Sequence, residues 1–446
     1  MSIKCGFFFI IIFIIKLIRN SEIIIPFTSL LSQIPKNLTP TDFMKSLVKN
    51  EILTNIKLGT PPQSLDVVVD FKNYHSYIIQ DKENDNERFK RFYNNSSTTF
   101  QNLGKNEYFH LSDFTYANNS SDIITINENI SNFNFIFLQI TTSNADTKIE
   151  YPGILGFGVV PNTNPFHFEA GLIYQLKNNN LINNHEYTLV FNNNDDFNGK
   201  IIIEKNIYEE YSLDNFYSDY CLTTIDYYFY WGWNHITTKF NSELLEIQNA
   251  FLKPELGIIL MSTEIKNVLK EKFFDEKIKE GKCYEGYEYY TFYYCDKDVK
   301  MKKNEFKFEF QNKNVLFSLN FEDLIMEYNN KIFFLLGFGF KIAKEEIYLG
   351  YPFFRKYDVI FNQDKRTAGF YNFKLGKNKK DVDENKSENN KQDNNKNVIL
   401  LKKILIIILV IFCIFLFIYI IFYIYRTIKR KEKSKLLEDL NNMENV

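Results

Sequence analysis

Leu58-Gly59-Thr60-Pro61-Pro62-Gln63-Ser64-Leu65-Asp66-Val67-Val68-Val69-Asp70-Phe71-Lys72 reads as a turn that feeds a strand. Gly59, Pro61 and Pro62 punctuate its start, and the β-branched run Val67 to Val69 favours extended backbone. The strand delivers a carboxylate, Asp70, and a bulky ring and a cation follow it directly as Phe71 and Lys72. A cation within reach of a carboxylate keeps it charged and lowers its pKa. The triplets Asp-Thr-Gly and Asp-Ser-Gly occur nowhere in the chain.

The rest of the chain sets the frame. With 446 residues, 45% of them hydrophobic, it can bury a sizeable core in one or two domains. Its abundant Asn, Lys and Ile read as compositional bias, so a single Asn or Lys carries little functional weight. The net charge of -2, from 53 basic and 55 acidic side chains, gives no footprint for nucleic acid. No His/Cys cluster has metal-ligand spacing, and neither a metal nor another cofactor is expected.

Two apolar segments point to a membrane. Residues 1–20 place Lys4 before an apolar run from Cys5 to Ile15, the pattern of a secretory signal peptide or, lacking a small-x-small cleavage site, of an uncleaved anchor. Ile404 to Tyr425 is uncharged and, at about 1.5 Å per residue, long enough to cross a bilayer. The basic residues that follow, Arg426 and Lys429 to Lys431 among them, give residues 426–446 a cytoplasmic signature. The expectation is a single-pass type I protein whose folded part faces a secretory organelle, a vacuole or the cell exterior. Residues 377–397, rich in Lys, Asn, Asp and Glu, read as a flexible stalk.

Cys5 and Cys413 fall in the apolar ends, leaving Cys221, Cys283 and Cys295. An odd set implies one bridge plus a free thiol, or a bridge between chains; Cys283 and Cys295 are the most local pair and would clamp a tyrosine-rich turn. Glycosylation sequons begin at Asn94, Asn95, Asn118, Asn119 and Asn385, the first four in polar, loop-like sequence. Strand-like runs dominate elsewhere: Asp122 to Asn127, Phe133 to Ile140, Leu189 to Phe191, Lys200 to Glu204 and Phe306 to Phe310. Helical spacing is confined to Phe166 to Leu181 and Glu264 to Phe274. The fold class is mostly β, with room for two similar lobes.

Four segments in order carry a resemblance. Leu58 to Gln63 with Val67 to Asp70, then Arg91 to Phe100, then Gly153-Ile-Leu-Gly-Phe-Gly158, and finally Ile347 to Phe361 running on to Gly369-Phe370 are similar to the pepsin-like aspartic proteases, peptidase A1. The resemblance covers about residues 45–375 and implies a bilobal fold, with an N-lobe near 45–190 and a C-lobe near 191–375. A short N-terminal segment, 21–44, precedes it.

Such enzymes use two aspartates, one from each lobe, whose proximity forces their pKa values apart. The resemblance puts Asp70 at the first position. The best match to the second motif is Gly257-Ile-Ile-Leu-Met-Ser-Thr263, where Leu260 replaces the aspartate and Met261-Ser262 the Thr-Gly. Phe71, Lys72, Met261 and Ser262 are then cleft residues, and His110, or Tyr108 beside it, takes the place of the flap tyrosine. A leucine cannot divide acid and base roles with Asp70. The expected function is therefore non-catalytic binding of a peptide or protein partner. The alternatives are an aspartic-type endopeptidase of the secretory or vacuolar route with a recruited second carboxylate, and a surface adhesion or structural protein using its tyrosine-rich face. Oligomeric state stays open.

Overall fold

The computed structural model describes residues 23–80, 91–109, 115–126, 133–142, 151–158, 171–192, 198–203, 217–219, 222–225, 228–312, 315–365 and 367–371, with 423, 425, 426 and 429. The chain divides into two compact units, up to Lys374 and from Leu375 on. In the second, Tyr423, Tyr425, Arg426 and Lys429 are helical, and the Lys429 ammonium lies 6.0 Å from the Tyr425 ring centroid. Among the described residues no helix is long and apolar enough to cross a membrane. The expected signal segment 1–20, the expected stalk with Asn385, Cys221 and nearly all of the expected span 404–425 lie outside the described residues.

The first unit is mostly β, as its composition predicts. Six strands close on themselves: Ile52–Leu58, Gln63–Asp70, Gly153–Gly156, Tyr77–Ile79, Phe133–Thr142 and Thr115–Thr125, the last pairing back to the first. Gln101–Phe109 extends this barrel at one end. From Ile52–Leu58 the sheet continues the other way through Ile23–Ser29, Asn198–Ile203, Glu186–Phe191, Asp358–Asn362 and Thr367–Tyr371 to Tyr217–Asp219. A second sheet holds, among others, Asn249–Leu252, Glu346–Leu349, Ile259–Ser262, Leu336–Gly339 and Thr291–Asp296.

Several boundaries differ from the expected ones. The folded sheet begins at Ile23 and not near residue 45: Ile23, Ile25 and Phe27 are buried, and their strand pairs with Ile203, Ile201 and Gly199. Alternation of buried and open residues makes this a half-buried strand, a pattern masked in the sequence by the apolar run preceding it. Likewise Asp358–Asn362 pairs with Glu186–Phe191, so strands late in the chain complete a sheet begun by the first lobe. Aromatic packing covers these strands: Trp231 lies 5.2 Å from Phe361, Trp233 4.9 Å from Phe370, and Phe191 5.4 Å from Tyr351.

Asn118 and Asn119 sit in mid-strand and not in a loop. Ser120 and Ser121, the hydroxyls of those sequons, are fully buried, and Ser120 bonds Gln139 at 3.2 Å. Pairing on both edges overrides the turn preference of Asn and Ser. Asn95, in contrast, is exposed in a short 3-10 turn, while Asn94 accepts from Gln80 at 3.1 Å. The helix expected from Phe166 is described over Leu172–Asn178. The one expected over Glu264 to Phe274 starts at Thr263 and winds on to Lys279 through a π-helical stretch.

The Cys283–Cys295 disulfide is present, between directly opposed residues of the hairpin Cys283–Tyr287 and Thr291–Asp296. In its tyrosine-rich sequence Phe292 and Tyr293, which point to opposite faces of their strand, are both buried, whereas Tyr287 and Tyr289 are exposed.

The late strands are also pinned by charge. Asp364 accepts from the His185 backbone N–H at 2.9 Å and faces its Nδ1 at 2.6 Å, with Lys177 at 3.4 Å. Burial alone would raise the Asp364 pKa, but these donors outweigh it and hold the carboxyl low. Burial holds the His185 imidazole below its usual range, against the pull of Asp364. Both folded-state values lie below the unfolded ones, so the stability they contribute is complete at neutral pH and is lost on acidification. The loss begins below about pH 6.5 for His185 and below about 3.9 for Asp364. The melting temperature is expected to fall between pH 7 and 5, and to fall less in His185→Asn; parallel pH curves for the two proteins would contradict the assignment.

Candidate functional site

The strand Gln63–Asp70 alternates in burial, and the alternation continues past its end. Val67, Val69 and Phe71 point into the core, whereas Val68, Asp70 and Lys72 are half-buried on the opposite side. Phe71, expected at the cleft, is therefore an interior residue: its ring centroid lies 6.0 Å from Phe157, 6.2 Å from Phe361 and 6.3 Å from Tyr187. Lys72 does line the open side.

Asp70 is held by its own loop. Its Oδ1 accepts from the backbone N–H of Lys72 at 2.6 Å and of Asn73 at 3.1 Å, and its Oδ2 from the Asn73 side chain at 2.5 Å. The carboxylate acts as the cap of the turn that it terminates, a role aspartate fills well. That turn lies over a second strand: Gly153–Gly156 runs parallel to Val68–Asp70, with Asp70 opposite Gly156. Phe157 N–H then donates to the Asp70 carbonyl and Gly158 N–H to that of Asn73, both at 2.8 Å.

The second sheet repeats this geometry. Ile259–Ser262 runs parallel to Leu336–Gly339, with Leu260 opposite Gly337. The partner segments share one sequence, Leu155-Gly-Phe-Gly158 and Leu336-Gly-Phe-Gly339. Register thus makes Leu260 the counterpart of Asp70, independently of any motif match. Leu260 is 3% exposed, and Met261 and Ser262, expected in the cleft, are fully buried. Ser262 starts the following helix without a side-chain cap bond, and its Oγ has no partner among the described residues. The repeated Leu-Gly-Phe-Gly was the signal that would have located the second parallel pair from sequence.

Tyr108 lies on the strand Gln101–Phe109, its side chain outside the described residues, as is all of His110. No metal-ligand cluster occurs among the described residues.

Asp70 and Lys72 open onto a cavity of about 890 Å³. Its walls include Val68, Tyr77, Ile154 and, from the segment leading to the second parallel pair, Glu255. Glu255 and Lys253 form an ion pair at 3.5 Å. Burial pushes the Glu255 pKa up, and the Asp70 charge adds to that; burial likewise pushes Lys253 down, with Lys72 adding to it. Tyr77 is buried at 2% exposure, and its phenol is driven far up by burial and by the charges of Asp70 and Glu51. The cavity is therefore lined by apolar and by oppositely charged side chains, with Asp70 at one of the two equivalent register positions and Leu260 at the other. Glu255, Lys253 and Tyr77 were not singled out by sequence, because no motif marks them and only folding gathers them around Asp70.

Comparison with curated proteins returned no match. A family model described as "Eukaryotic aspartyl protease" matches residues 51–373. That match spans most of the chain and contains both parallel strand pairs: the chain belongs to the eukaryotic aspartyl protease family.

Proposed function

We propose that this chain is a non-catalytic member of its family, whose cavity at Asp70 receives a peptide segment or a partner protein without cleaving it. The observation that carries the reading is Leu260 in the register position of the second carboxylate. The oxygens of Asp70 are, in addition, occupied by three donors from its own loop. Hydrolysis by this family's chemistry needs a base and an acid that share a proton, and a buried leucine supplies neither. The apolar ends of the chain support placement in a secretory or surface membrane, folded part outside the cytoplasm, with Asn95 an exposed sequon for glycosylation. The full chain in detergent is expected to leave a broad peptide mixture intact between pH 3 and 7. Turnover that a statine-type transition-state mimic inhibits, and that Asp70→Asn abolishes, would overturn the reading.

One observation favours a peptidase instead: Glu255 lines the same cavity and is held toward its protonated form beside the Asp70 charge. A carboxyl held toward its protonated form can serve as the acid of an acid/base pair. If Glu255 is the recruited carboxylate, Glu255→Gln and Asp70→Asn each abolish turnover; if turnover is absent from the parent, this second reading fails. For adhesion through the tyrosine-rich hairpin, Tyr287 and Tyr289 are the exposed side chains, whereas Tyr293 is buried.

A further inference from the structure

Residues 30–50 leave the large sheet and return to it at one point. Ser29 and Asn50 bond side chain to side chain, and Leu30 N–H donates to the Glu51 carbonyl at 2.9 Å, so the excursion has a closed neck. Its far end rests on strands of the other sheet. The Tyr328 hydroxyl accepts from Leu38 N–H at 2.8 Å and donates to the Pro35 carbonyl. Phe43 stacks on Tyr328 at 4.1 Å and 12°, and lies 4.6 Å from Phe333. Lys45 pairs with Glu288 at 3.1 Å, and the Leu47 carbonyl accepts from Gly257 N–H at 2.9 Å.

Between these ends runs the helix Pro40–Val48, started by Thr39, whose side chain accepts from Asp42 N–H at 3.1 Å. Nine residues are too few for a helix to persist alone in water. Its order therefore depends on docking through Phe43, Met44 and Leu47, all buried. Leu30, Ile34, Lys45 and Lys49 of the same excursion form one wall of the cavity that holds Asp70.

We propose that residues 30–50 are a hinged strap, closed at the Ser29–Asn50 neck and latched on Tyr328 by Phe43, Leu38 and Pro35. The strap releases as a unit, moving that wall of the cavity while both sheets stay folded. The latch is made by side-chain packing and two hydroxyl hydrogen bonds, without the strand ladder that holds the sheet on either side of the excursion. A cooperative segment of that kind opens at lower free energy than the core. The device is independent of what the cavity binds.

Hydrogen exchange on the full chain, followed by mass spectrometry, tests this. Amides of residues 36–48 are expected to open at least tenfold more often than those of Val67 to Val69. Tyr328→Phe, which keeps the ring stack but removes both hydroxyl bonds, should raise strap exchange about tenfold further and leave Val67 to Val69 unchanged. Thiol alkylation of the variant Met44→Cys, with the site resolved from native cysteines by peptide mapping, repeats the comparison with the latch intact. Strap amides exchanging in step with Val67 to Val69, or alkylation at position 44 of that variant no faster than core opening, would overturn the proposal and make residues 30–50 a fixed part of the core.

Discussion

Replacing Gly156 by alanine is expected to cost about 3 kcal/mol of folding stability. A methyl group there would sit 2.5 Å from the His75 carbonyl oxygen and 2.7 Å from carbonyl carbons of Tyr74 and His75. These are backbone atoms, and they cannot rotate away. The loop that carries them is pinned from several directions. Asp70 holds its start through Lys72 and Asn73, Gly158 N–H reaches the Asn73 carbonyl, and Ser76 Oγ accepts from Gly156 N–H at 3.0 Å. Relief would require that whole loop to lift off the strand. The related glycine of the second sheet offers an internal control. At Gly337 the added methyl meets the Ile258 Cδ1 and Leu260 Cδ2 atoms, each at 2.7 Å, which are ends of side chains that can turn. Gly337→Ala is therefore expected to cost only about 1 kcal/mol. Denaturant midpoints of the two variants check the contrast; equal losses would mean that the Asp70 loop is less firmly held than its hydrogen bonds indicate.

Leu260→Asp, which restores a carboxylate at the second register position, is expected to destabilise the protein by about 4 kcal/mol at neutral pH and to confer no peptide hydrolysis. Leu260 is buried beside Ile258 and Gly337, so the substitution removes apolar burial and places a charge in an apolar setting. Ser262 and Met261 replace the residues that would organise such a turn, and both are fully buried in the strand end and helix start. Sign follows from linkage: the buried carboxyl titrates above its unfolded value. The ionic part of the loss should therefore be absent in acid and develop as pH rises from about 3.9 through the raised folded value. Denaturation of the variant and parent at pH 4 and 7 checks this, the difference being smaller at pH 4. Hydrolysis appearing in Leu260→Asp would show that the Asp70 loop remains competent and that Leu260 alone withholds activity.

Much of the fold was legible from local signals. Val67 to Val69, Phe133 to Ile140 and Leu189 to Phe191 are β-branched or aromatic runs, and each lies in a strand. Cys283 and Cys295 were paired by proximity in sequence, and a hairpin sets them opposite one another. Where reading failed, nonlocal pairing prevailed over composition. Asn118 to Ser121 looks like a loop yet is flanked by a strand on each edge, and Ile23–Ser29 is a core strand although it adjoins an apolar leader-like segment.

At the site, sequence alone established that no Asp-Thr-Gly or Asp-Ser-Gly triplet is present, a property of the string of residues. It also assigned the mostly β class, since strand propensity is a short-range property. Only the tertiary structure decided which way each side chain faces. The two-residue alternation of a strand sends Phe71 into the core and Lys72 toward the cavity, a distinction invisible in the pair Phe71-Lys72 itself. Tertiary structure likewise gathered Glu255, Tyr77 and residues 30–50 around Asp70. Those neighbours come from distant parts of the chain, and pairing between strands far apart in sequence is what brings them together.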